Sequence, residues 1–183
     1  MQVVASDFGR PVRNSTAEVI VYIDDVNDSA PKFNETEYKT FVNEAVAKNT
    51  AVLQVKATDY DAGENGTISY SILTGNEAGK FKINSVTGIV EVVGELDYEA
   101  TTEYKLMIQA ADNGAVHNQS SVVEATIYVT DANDHAPSYS VSRYSERIAE
   151  NSPAGTLIFT AQAYDRDEGL YGKLQYSIAG KNS

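Results

Sequence analysis

Oxygen-bearing side chains recur in this sequence as short, ordered strings. In chain order they are Glu44 in "NEA", Asp59 and Asp61 in "DYD", Asp97 and Glu99 in "LDYE", Asp112 in "ADN", and Asp131, Asn133 and Asp134 in "DANDHAP". The last string has a near copy, "DVNDSAP", which starts at Asp25 and holds Asn27 and Asp28 in the same places. The chemistry open to such a set is narrow. Carboxylates mixed with Asn and backbone carbonyls suit a hard cation that takes about six to eight oxygens, calcium above all, whereas zinc wants His or Cys. The chain has two His and no Cys, which excludes thiol chemistry and leaves no disulfide from which to read a redox compartment. Glu44, Asp97, Glu99, Asp131, Asp134, Asp165 and Asp167, gathered at one linker, would bring a charge of about −7 and repel one another. Three divalent ions would return about +6 and make an ordered junction favourable.

Other chemistries fit less well. An EF-hand reading of "DYDAGENG" needs Gly at its sixth position and Glu at its twelfth, where Glu64 and Tyr70 stand. "SDFG" at 6–9 resembles a kinase magnesium loop but lacks the accompanying phosphate loop and catalytic string, so it reads as a turn. His117 and His135 read as surface histidines, and no Ser-His-Asp or HExxH arrangement is present. Paired carboxylates also serve glycosidases, but these acids fall at strand ends, and the chain has no Trp for a sugar platform.

The elements that must position the acids follow from a repeat. Residues 42–72, "VNEAVAKNTAVLQVKATDYDAGENGTISYSI", align without gaps on 148–178, "IAENSPAGTLIFTAQAYDRDEGLYGKLQYSI", 106 positions later, the offset that also separates Asp25 from Asp131. Glu44 falls on Glu150, Asp59 on Asp165, Asp61 on Asp167, Gly66 on Gly172 and Tyr70 on Tyr176. Near the start, "ASDFG" at 5–9 answers "AADNG" at 110–114. Such self-similarity sets the architecture: the tail of one unit over 1–30, a whole unit over 31–136, and the head of a third over 137–183. Inside the whole unit, "VLQVKA", "ISYSIL", "FKIN", "IVEVV", "YKLMIQA" and "ATIYVT" alternate apolar and polar residues between Gly, Asn and Asp turns. This pattern predicts an all-β fold, an Ig-like Greek-key sandwich of about seven strands per unit, with the acids clustered at its poles. The run "EVIVYI" at 18–23 reads as a strand entering the first linker, and 138–183 as about three more strands that cannot close a sandwich alone.

Composition sets the outer limits. A hydrophobic fraction of 42% supports a packed core, and 14 Lys plus Arg against 26 Asp plus Glu give a net charge of −12. That balance argues against nucleic acid and anionic membrane and leaves cations or basic proteins as partners. No run approaches the roughly 18 apolar residues of a membrane span, and "MQVVASDFGR" has no signal-peptide pattern. If the protein is extracellular, the chain is expected to be an internal piece of a longer one.

Taken together, the strings XEX, DxD, LDRE-like, xDx and DxNDN-like, spread over about 106 residues of a sandwich, resemble the extracellular cadherin repeat across essentially the whole chain. Three features depart from that pattern: Ser29 and His135 replace the final linker Asn, Tyr98 replaces an Arg, and Tyr171 stands where the earlier copy has Asn65. The resemblance implies up to three calcium ions per linker. At the second linker the outermost would take Glu44, Asp97, Glu99 and Asp134. The middle one would take Glu44, Glu99, Asp131, the Ala132 carbonyl, Asp134 and Asp167. The third would take Asn133, the His135 carbonyl, Asp165, Asp167 and the Tyr171 carbonyl. At the first linker, Asn27, the Ser29 carbonyl, Asp59, Asp61, the Asn65 carbonyl and Asp112 would hold the forward-facing ion, while Asp25, the Val26 carbonyl and Asp28 face backward. One ion is thus expected at the first linker and two at the second. The departures at Ser29, His135 and Tyr171 fall on carbonyl positions, so their side chains should matter little.

The same resemblance implies a calcium-dependent cell–cell adhesion ectodomain without enzyme activity, outside the cell, in a parent anchored in the membrane by one span. Its partners would be other cadherin ectodomains, homophilic or heterophilic, with no nucleic acid and no small-molecule substrate. A non-adhesive tether built of the same repeats, or a calcium-dependent carbohydrate-binding module, are the alternatives. Of five N-x-S/T sequons, those at Asn27 and Asn65 fall within the calcium set, which leaves Asn14, Asn34 and Asn118 as candidate glycan sites.

Overall fold

Alternation becomes a strand where a neighbour is present to pair with, and the chain shows this from end to end. The computed structural model describes residues 1–114 and 117–180. β1 (Gln2–Ser6) and β2 (Asn14–Glu18) form an exposed antiparallel hairpin ahead of the first linker. The whole unit follows with β3 (Lys32–Phe33), β4 (Glu37–Asn43), β5 (Ala51–Gln54), β6 (Ala57–Thr58), β7 (Ile68–Thr74), β8 (Phe81–Ile83), β9 (Ile89–Val92), β10 (Glu103–Asp112) and β11 (Ser120–Thr130). Beyond the second linker, β12 (Ser138–Tyr139) pairs with β13 (Ala163–Tyr164). No helix among the described residues is long and apolar enough to cross a membrane.

The nine segments of the whole unit make seven strands, because β3 with β4 and β5 with β6 are each one interrupted strand. One sheet runs β4-β11-β10-β7 and the other β5-β9-β8, with the β3-β6 pair extending it. Every pairing is antiparallel except β4 with β11, which runs parallel in the register Tyr38 to Ala125 and Val42 to Val129. The first strand therefore changes sheets between Phe33 and Glu37 and ties the two layers together. The inward positions of β10 and β11 supply the centre: Leu106, Ile108, Ala110, Ala125 and Ile127 are fully buried, against Val55 and Val90 from the other sheet. Each large side chain there contributes about 1.5–3 kcal/mol of transfer free energy, enough to fold the unit on apolar burial alone. Its two poles, where the turns collect, are left for the acids.

Two expectations change outside the whole unit. The run "EVIVYI" does not continue as a strand: β2 stops at Glu18, and Val21 and Ile23 are 69% and 93% exposed. The last bond of the hairpin runs from Val19 N–H to the Met1 carbonyl at 2.8 Å, and residues 20–24 pair with no strand among the described residues. After residue 137 only the two-residue β12 and β13 pair, in place of about three strands. Tyr139, Tyr144, Leu157, Phe159, Tyr176 and Ile178 line an open apolar hollow there, the uncovered inner face of a sandwich. The local contacts are nonetheless those of the whole unit. Ala57 N–H donates to Tyr70 Oη at 2.8 Å and Ala163 N–H to Tyr176 Oη at 3.1 Å, one offset apart.

Candidate metal centre

Each linker is stitched to the unit that follows it by the same two bonds, made to a turn that a third bond closes. The DxD turn folds on itself when Asp61 N–H donates to Asp59 Oδ1 at 2.9 Å, and Asp167 N–H to Asp165 Oδ1 at 3.1 Å. The second carboxylate of each turn accepts from the linker: Ser29 N–H reaches Asp61 Oδ2 at 3.0 Å and His135 N–H reaches Asp167 Oδ1 at 3.2 Å. In return the first linker Asp accepts from the turn, Asp25 Oδ2 from Ala62 N–H at 3.1 Å and Asp131 Oδ2 from Glu168 N–H at 2.7 Å. The turn needs glycine: a Cβ on Gly66 or Gly172 would stand 2.0 or 2.1 Å from the carbonyl oxygen of Asp61 or Asp167. This explains why both glycines hold their place in the repeat.

At the second linker the preceding unit adds its own acids. Glu44, just past the end of β4 and 6% exposed, accepts from Ala132 N–H at 2.8 Å and from Tyr98 N–H at 2.5 Å. Asn43 Nδ2 donates to the Asp131 carbonyl at 2.8 Å, fixing the linker against the end of the strand. Two groups of ligand-type atoms result, each within 4.8 Å of one another: Glu44, Glu99 and Asp131 in one, and Glu99, Asp134, His135 and Asp167 in the other. Glu99 belongs to both, and the two groups draw on the whole unit, the linker and the next unit. Asp131 Oδ1 and Asp167 Oδ2 are buried with no hydrogen-bond partner among the described residues, as is Asp59 Oδ2 at the first linker. A buried carboxylate oxygen without a partner is costly unless a cation meets it. The donor set therefore fits calcium, with oxygen from every residue except the His135 ring.

Two of the expected carboxylates, Asp97 and Asp165, lie outside these groups. Asp97 stays outside them and caps the next turn, accepting from Ala100 N–H at 2.9 Å. Asn133 is exposed, Asp165 is engaged by Asp167 N–H, and Tyr171 N–H donates to the Glu168 carbonyl at 3.2 Å. The Ala132 carbonyl accepts from Asp134 N–H at 2.9 Å. At the first linker, no three acids among the described residues bring oxygens within 4.8 Å. Asp112 is fully buried and accepts from Gly114 N–H at 3.0 Å and Gln119 N–H at 2.9 Å. Asn27 Nδ2 donates to the His117 carbonyl at 2.6 Å, Asn65 Nδ2 donates to Asp25 Oδ2 at 3.0 Å, and Val26 is exposed. Asp28 accepts only a long 3.4 Å bond from Ser29 Oγ.

The sequence also missed two contacts. The His135 side chain is not a bystander: its Nδ1 lies 2.7 Å from Asp134, 3.1 Å from Asp167 and 3.8 Å from Glu99. Burial opposes a charged ring, but the Asp134, Asp167 and Glu99 carboxylates outweigh it and hold His135 above the usual histidine range. Burial, with Glu44 and Asp134 behind it, pushes Glu99 above the usual carboxylate range. Second, Tyr98 Oη donates to Glu168 Oε2 at 2.8 Å, a bond from the whole unit directly to the next. Both residues had shown themselves as departures from the repeat pattern, which was the one signal the sequence carried.

Comparison with known proteins agrees with this architecture. Residues 38–130 match the family model described as "Cadherin domain". Protocadherin Fat 4 of Mus musculus is 43% identical over 182 residues, which cover 99% of this chain and 4% of that protein. Cadherin EGF LAG seven-pass G-type receptor 2 of the same species is 42% identical over 184 residues, 98% of this chain and 6% of the relative. The crystal structure of mouse cadherin-23 EC22-24 superposes with a TM-score of 0.80 at 38% identity, covering 99% of this chain and 57% of that one. The chain thus spans about a twentieth of the length of the curated relatives it matches.

Proposed function

The chain belongs to the cadherin family, and from that premise we propose that it is a stretch of an adhesive rod whose junctions are stiffened by calcium. Residues 1–30, 31–136 and 137–183 are read as the end of one extracellular repeat, a whole repeat and the beginning of a third. The observation that carries the reading is the second junction, where acids from both repeats and the linker between them converge and two of their buried oxygens lack a hydrogen-bond partner. Glu44, Glu99 and Asp131 would hold one ion and Asp134 and Asp167 would share in a second, with Glu99 between them. Asn27, Asp59, Asp61 and Asp112 would serve the first junction. Bound calcium supplies the positive charge that lets these carboxylates stay together; the fold of the whole repeat rests on apolar burial.

The function follows from that division. Without a counter-ion the carboxylates repel and the junction bends freely; with one, two sandwiches keep a fixed angle. Extracellular modules bind calcium at about 10⁻⁴ to 10⁻³ M, so the rod is stiff outside the cell and slack at cytosolic calcium. A rod of fixed shape presents its surface reproducibly to another ectodomain, homophilic or heterophilic, on a facing cell. Calorimetric titration of the chain with calcium alone tests the metal reading: saturable binding in that range, at no fewer than one ion per chain, is expected, and a flat titration refutes it. Aggregation of beads coated with the full ectodomain, lost on chelation, tests adhesion. Beads that stay dispersed would favour a tether.

A further inference from the structure

Asn14 lies on the β1-β2 hairpin; the other four sequons divide by what their amide nitrogens already do, and this points to covalent modification at the pole of the whole repeat that meets the first linker. Asn27 and Asn65 are half-buried and spend Nδ2 inside the junction, on the His117 carbonyl and on Asp25 Oδ2. Asn27 has no room either: a Cβ placed on Gly114 would stand 2.1 Å from its Nδ2. Asn34 and Asn118 are exposed, and neither amide makes a hydrogen bond among the described residues. Their backbones are held nonetheless. Asn34 N–H donates to the Lys56 carbonyl at 2.9 Å, just after β3. Asn118 lies in the turn before β11 between His117, whose carbonyl holds Asn27, and Gln119, whose Nε2 donates to the Asn27 carbonyl at 3.1 Å. An exposed Asn on the surface, followed two residues on by exposed Thr36 or Ser120, fits an N-glycosylation acceptor.

We infer that Asn34 and Asn118 carry N-linked glycans flanking the first junction, while Asn27 and Asn65 remain unmodified. The donor is an oligosaccharide carried on a polyprenyl pyrophosphate. A bond forms between Asn Nδ2 and the sugar C1, the C1–O bond to the pyrophosphate breaks, the lipid pyrophosphate leaves with the electron pair, and one amide proton is released. A sugar on Asn34 or Asn118 points into solvent and leaves the fold intact. On Asn27 it would have to displace the Gly114 turn, and on Asn65 it would crowd the carboxylate of Asp25. The inference needs no calcium and stands apart from the metal reading.

Secretion of the 183-residue chain from mammalian cells behind a heterologous leader tests it. Release of the glycans by peptide N-glycosidase in heavy-oxygen water converts each occupied Asn to a labelled Asp, read site by site by mass spectrometry. Label at positions 34 and 118, with unlabelled Asn at 27 and 65, is expected. Asn118→Gln and Asn34→Gln should each remove one glycan from the intact mass, and Thr36→Ala should reproduce the loss at Asn34 while leaving that Asn in place. Unlabelled Asn34 or Asn118 in the secreted chain, or label at Asn27 or Asn65, would overturn the inference.

Discussion

Residues 14–24 and 120–130 are two copies of one strand, and the molecule treats them differently. Ile127 and Val129, inward on β11, are 0% and 4% exposed, whereas their counterparts Val21 and Ile23 are 69% and 93% exposed. Both copies carry alternating apolar residues and both run into a DxND linker. The difference is in the neighbours. β11 has β10 on one side and β4 on the other, while β2, in the earlier copy, pairs with β1 alone among the described residues and ends at Glu18. Alternation is a license for a strand, and pairing decides whether it is used.

The largest test of this contrast is in the core. Ile127→Ala should destabilise the whole repeat by about 2–5 kcal/mol through the cavity it leaves, while Val21→Ala should shift stability by less than about 0.5 kcal/mol. Urea unfolding of the two variants measures both, and a comparable loss in each would break the comparison.

Next in size is the contrast between linkers. Asp134 sits with Glu99, His135 and Asp167, whereas Asp28, its copy, meets only Ser29 among the described residues. Asp134→Ala should weaken calcium binding at the second junction at least about tenfold, roughly 1.4 kcal/mol. Asp28→Ala should leave the calorimetric isotherm nearly unchanged, and neither variant should alter the unfolding of the sandwich. A smaller effect is expected from Tyr98→Phe, which removes the bond to Glu168 and should loosen the order between repeats. Small-angle scattering in chelator should show a broader distribution of shapes for that variant, and the two profiles should approach each other in calcium.

How much of this was written in the sequence depends on the kind of information asked of it. The strands of the whole repeat were legible because their period-two patterns agree with packing on both faces of one core, as on β10. The DxD turns were legible because Gly66 and Gly172 answer a backbone constraint that each copy must meet. The fate of 18–23 was not legible, since its partner strand lies outside any local window. The roles of His135 and Tyr98 were not legible either. A pattern that specifies a carbonyl is silent on the side chain it carries, and here the imidazole turns into the carboxylates.

The smallest expected effect is on pH. The folded chain raises Glu99, so without metal it holds that proton more tightly than the unfolded chain does. The contribution to stability is therefore present in acid and is lost as the pH rises through the folded Glu99 range. Calcium reverses the sign, because ion and proton compete for one carboxylate, so calcium affinity should rise with pH over the same window. Parallel titrations with calcium and with chelator would show opposite slopes.

Hydrogen exchange followed peptide by peptide, in millimolar calcium and in chelator, puts the central claim to its most direct test. The account predicts that peptides covering Asp131–Pro137 and Asp165–Glu168 exchange more slowly with calcium, while those of β10 and β11 are equally protected in both. Linker peptides that exchange identically with and without the ion would contradict it.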